Sequence, residues 1–177
     1  MLLNSKKLAF LGLLLAIDDL LIILSGIIEF NTMFLLAAAS FCVGIAIRES
    51  SKQIGLGFLV ASILIGLMLA PNKLYCITYG AFATYILITE YAFDMLVRVQ
   101  NISQRKILFW VIKYITFNIM YIPILIFLPK LFYQGEIHTG LYLGFILAGQ
   151  AALFIFDRAY DYFQRFVWGK FRHNLKL

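Results

Sequence analysis

Two adjacent carboxylates, Asp18 and Asp19, stand in the middle of an otherwise apolar run of this chain. An ionisable group surrounded by hydrocarbon is costly to bury, and where it occurs it marks a proton relay, an ion site or a counter-charge to a ligand unless another residue pairs with it. At a rise of about 1.5 Å per residue the two aspartates lie ~15 Å from the start of that run. Neighbours on a helix point about 100° apart, so one aspartate is expected to face the bundle interior and the other a helix interface or polar crevice. Glu90 and Lys113 interrupt two later apolar runs at a similar depth, roughly 10 Å from one boundary. Consecutive helices are usually neighbours, which predicts a Glu90–Lys113 ion pair. The alternative is that Lys113 pairs with an aspartate of the first helix and moves between acidic partners.

Asn118 and Gln150 add uncharged amides at mid-depth. With Asp18 and Asp19 they are candidates for the polar patch of a small-ligand site, bounded by Tyr79 and Tyr121 and by Tyr85 and Tyr114. Hydrogen bonding between helices explains the two amides equally well. Catalytic chemistry finds little support. There is no HExxH, nucleophile elbow or nucleotide-binding loop, and His138 and His173 fall in polar flanks. Cys42 and Cys76 sit inside apolar runs, where free cysteine acts as a small hydrophobe. The reading is therefore a non-enzyme without cofactor or metal.

Six apolar stretches carry these residues: Leu8–Ile28, Met33–Ile47, Ile54–Ala70, Leu74–Val97, Ile107–Leu128 and Leu141–Phe156. Each approaches the length of a helix crossing a hydrocarbon core of about 30 Å. A composition of 63% apolar and 14% charged residues leaves too few charges to solvate a globular surface. Twelve of the fifteen Lys and Arg residues fall at alternating ends, among them Lys6, Arg48, Lys52, Arg98, Arg158 and Arg172, against Lys73 and Lys130 opposite. By the positive-inside rule both termini are cytoplasmic. The same bias accounts for the net charge of +6 without nucleic acid.

The expected fold is thus an all-α, multi-pass bundle of six transmembrane helices over residues 1–156. Residues 157–177 are expected to form a cytoplasmic tail, an amphipathic interfacial helix with Tyr160, Phe163, Val167 and Phe171 on one face. Residues four apart such as Ser40 and Gly44, Ser62 and Gly66, and Gly144, Ala148 and Ala152 predict close helix packing. Pro123 predicts a kink in the fifth helix.

The segments KKLAFLGLLLAIDDLLIILSGII from Lys6 and FLLAAASFCVGIAIRE from Phe34, with the turn APNK at Ala70–Lys73, carry a resemblance to the substrate-binding S components of energy-coupling factor (ECF) transporters. That resemblance spans Lys6 to about Phe156. It implies a bacterial plasma membrane and uptake of a small metabolite by toppling in the bilayer. It also implies partnership with a transmembrane coupling subunit and two ATPase subunits, contacted through small residues that here correspond to Ala9, Gly12 and Ala16. The family's ligand lies in the outward half beneath the loop between the first two helices, whereas here that loop is only Glu29–Thr32, a departure from the pattern. Two other readings compete: a non-transporting scaffold or accessory subunit of a membrane complex, and a proton-coupled or lipid-handling membrane protein.

Overall fold

A computed structural model describes residues 5–97, 101–127 and 139–175. They form six long helices: α1 (Ser5–Ile27), α2 (Thr32–Glu49), α3 (Lys52–Leu69), α4 (Lys73–Leu96), α5 (Ile102–Phe127) and α6 (Thr139–Tyr162). A short 3-10 turn (Glu29–Asn31) joins α1 to α2. After α6 the chain passes through a π-helical segment (Phe163–Trp168) into α7 (Gly169–Leu175). Lys130 and His138, together with Arg98, lie outside the described residues.

The boundaries follow from local chemistry. The Ser51 hydroxyl accepts the Ile54 amide at 3.3 Å and caps α3. Pro71 ends the approach from α3, and Asn72 then caps α4 by accepting the Leu74 amide at 3.0 Å. Asn101 does the same for α5, accepting from Ser103 at 3.0 Å. α5 continues through Pro123 as one helix.

α1 to α4 pack on one another, α5 docks on α4, and α6 keeps its backbone farther from α5 and reaches it through side chains. Consecutive helices run antiparallel. One end of the bundle gathers Lys7, Glu49, Lys52 and Asp94, while at the far end Gly26 meets the ring of Pro71. Large apolar side chains such as Leu13, Leu64, Met68, Ile119 and Leu147 point outward, and Asp18, Asp19, Glu90, Lys113 and Asp157 are buried. This is the distribution of a chain whose solvent is lipid.

Five of the helical segments, α1, α2, α3, α5 and the stretch Gly140–Arg172, are long and apolar enough to cross a membrane. α4 is not among them, although its 24 residues reach about 36 Å. Its tyrosines, threonines and carboxylates lower its hydropathy, and they are tolerated because Tyr79, Tyr85, Thr89 and Glu90 are buried against neighbouring helices. α6 does not stop where the sixth apolar stretch stops, at Phe156, but runs on unbroken to Tyr162. Asp157 and Tyr160, placed in the tail by their position in the sequence, are each 1% exposed within the bundle.

Candidate functional site

The buried ionisable residues sort into three clusters. In the first, both aspartates of α1 converge on α3. The Ser62 hydroxyl donates to Oδ2 of Asp18 and stands 3.4 Å from Oδ1 of Asp19, and the Tyr79 hydroxyl of α4 donates to the same Asp18 Oδ2 at 2.7 Å. The expectation of separate surroundings is therefore corrected. Ser62 sits between the two side-chain directions, so each carboxylate swings toward it.

The second cluster corrects the expected Glu90–Lys113 pair. Both residues are ion-paired, but with others. Lys113 Nζ of α5 meets Asp157 Oδ1 of α6 at 2.6 Å, with both side chains almost fully buried. Tyr85 donates to that same oxygen at 3.1 Å, and the ammonium stacks over the Phe109 and Trp110 rings at 4.3 and 5.3 Å. Sequence adjacency of α4 and α5 does not fix rotational phase, and the face of α5 that bears Lys113 turns to α6.

The third cluster closes the charged end. Arg48 of α2 binds Glu90 Oε1 of α4 at 2.6 Å, and Tyr160 donates to the same oxygen at 2.6 Å. Gly44 makes this possible, because a Cβ there would overlap the Tyr160 hydroxyl. Just beyond, Glu49 receives the Trp168 indole N–H at 2.9 Å and Arg172 at 3.0 Å, and Trp168 packs on Phe10. The segment after α6 is thereby held against α1 and α2.

Between α4, α5 and α6 lies a cavity of about 360 Å³. Phe82, Tyr85, Phe117, Tyr121, Phe145 and Phe156 supply aromatic walls. It occupies the half of the bundle toward the far end, where α4 begins and α5 ends. Ala148 and Ala152 line it on α6, so these small residues, expected to bring helices together, here leave room instead, while Gly149 between them lets the Tyr121 ring come close. Tyr85 forms part of the wall and reaches the Lys113–Asp157 pair, which sets a charged group behind an apolar chamber. α5 and α6 are tied at the cavity wall by Tyr121, which donates to the Phe145 carbonyl at 2.7 Å, and beside it by Gln150, which donates to Asn118 Oδ1 at 2.8 Å.

Of the residues singled out from sequence, Tyr85 and Tyr121 line the cavity, Asn118 and Gln150 bond each other as an interhelical clasp, and Asp18, Asp19 and Tyr79 form a separate cluster. Ala9, Gly12 and Ala16 lie exposed on the outer face of α1, with open space where a Gly12 Cβ would stand. The residues that sequence reasoning missed are Asp157, Tyr160, Arg48 and Glu49. The available signal was the aromatic run Phe154, Phe156, Tyr160 and Phe163, which continues past Asp157 and argues against a helix end there. No family model, curated protein or solved structure matches the chain.

Proposed function

We propose that this chain is a membrane-embedded binding subunit for a small, largely apolar or aromatic metabolite, serving uptake in the manner of an S component of an ECF transporter. The observation that carries the reading is the aromatic cavity between α4, α5 and α6. Its volume lies at the small end of the range typical of ligand sites, and Tyr85 and the buried Lys113–Asp157 pair offer orienting polarity behind apolar walls.

In this reading all six helices cross a plasma membrane, with α4 shielded from lipid by its neighbours. The positive-inside bias then places both termini in the cytoplasm and opens the cavity half toward the outside. The exposed small residues Ala9, Gly12 and Ala16 form the contact with the coupling subunit, whose ATPases supply the energy that this chain has no motif to harvest. The basic segment after α6 lies at the cytoplasmic interface.

The test is purification in mild detergent from a bacterial host that carries an ECF module, with mass spectrometry of co-purifying proteins and of small molecules released on denaturation. The expected result is coupling subunit, ATPases and one enriched metabolite with the wild type, and loss of the protein partners with Gly12→Leu while the metabolite stays. Absence of both from the wild type would refute the proposal.

A further inference from the structure

The Asp18–Asp19 cluster lies outside the cavity, and its proton count does not close with ionised carboxylates. Asp18 is fully buried and Asp19 is 7% exposed, and neither enters an ion pair among the described residues. The titratable groups near them are Cys42 on α2 and Cys76 and Tyr79 on α4, none of which brings positive charge, and α3 contributes the neutral Ser62. Two carboxylates side by side in a low-dielectric interior do not both stay ionised without a cation.

The hydrogen bonds say where a neutralising proton belongs. Oδ2 of Asp18 already accepts from two hydroxyls, Ser62 and Tyr79. Ser62 has a single proton and cannot also donate to Asp19, which lies within reach of the same oxygen. Oδ1 of Asp18 is sealed from solvent and has no hydrogen-bond partner. A bare anionic oxygen in that position would be a buried charge without compensation, whereas a protonated one leaves only an unpaired neutral hydroxyl, a much smaller cost.

We propose that Asp18 and Asp19 form a proton-binding site inside the helical bundle, with the exchangeable proton on Oδ1 of Asp18 and Oδ2 as its hydrogen-bonded carbonyl oxygen. The site is independent of whatever fills the cavity.

Infrared spectroscopy of the protein in lipid vesicles reads the proton directly, through the carbonyl stretch of a protonated carboxylic acid. The wild type at neutral pH is expected to show such a band, shifted on exchange into D2O, and Asp18→Asn is expected to lose it. Tyr79→Phe removes one donor from Oδ2 and should keep the band but raise its frequency, a change that a purely structural role for the aspartate would not produce. It also decides the question should Asp18→Asn fail to fold. A band unchanged in both variants would overturn the proposal. So would a band that appears only when sodium is withdrawn, since the site would then hold a metal cation.

Discussion

Removing one charge of the Lys113–Asp157 pair should be among the most destabilising single changes in this chain. At a separation of 2.6 Å, two unit charges attract by roughly 6 kcal/mol at an effective dielectric of about 20. Desolvation of both groups offsets much of that attraction, so the intact pair adds little net stability. Truncating one partner is different, because the other is left charged and buried. Lys113→Met leaves Asp157 with the Tyr85 hydroxyl alone, and Asp157→Asn leaves the ammonium with its two aromatic rings. Each single variant should lose about 3–5 kcal/mol. For a chain of this size that corresponds to a fall in melting temperature of about 6–20 °C. The double variant Lys113→Met/Asp157→Asn leaves no orphaned charge and should recover most of the loss. The assay is thermal unfolding in detergent or nanodiscs, followed by tryptophan fluorescence, for the four members of the cycle. Losses that simply add in the double variant would refute the pairing.

Lys113→Met combined with Glu90→Gln, by contrast, should show additive melting shifts, since these residues belong to different clusters. Gly44→Ala should push the Tyr160 hydroxyl away from Glu90 and cost about 1–3 kcal/mol, and Tyr160→Phe in the same chain should relieve part of the clash; both are read as melting temperatures. Arg172→Ala should cost about 1–3 kcal/mol although that side chain is 61% exposed, because its partner Glu49 is only 6% exposed and would keep just the Trp168 indole donor. Trp168→Phe, which removes the indole donor to the buried Glu49, should instead speed amide hydrogen exchange in Gly169–Leu175, measured by mass spectrometry.

How far the molecule could be read in advance depended on the kind of interaction. Hydrophobic length is a property of one segment, so α1, α2, α3 and α5 were legible as apolar helices. Asp18, Asp19, Glu90 and Lys113 were legible as buried charges for the same reason. Pairing depends on the rotation of each helix about its axis, which no single segment records; hence Lys113 finds Asp157 and Glu90 finds Arg48. Asp157 escaped notice because hydropathy registers its charge as a boundary and is blind to the lysine that neutralises it. Ala148 and Ala152 show a further limit. Small residues permit close approach, but when aromatic rings of α4 and α5 stand opposite without filling the gap, the same residues make a chamber.

The most direct test of the account is native mass spectrometry of the purified protein, released from its micelle with any small molecule still bound. The wild type should carry one small molecule. Gly57→Leu, whose added side chain enters open space, should keep it. Gly149→Leu should lose it, because even a Cβ there would lie 2.5 Å from the Tyr121 ring on the cavity wall. Retention of the same molecule by all three proteins, or by none, would contradict the assignment of the cavity as the binding site.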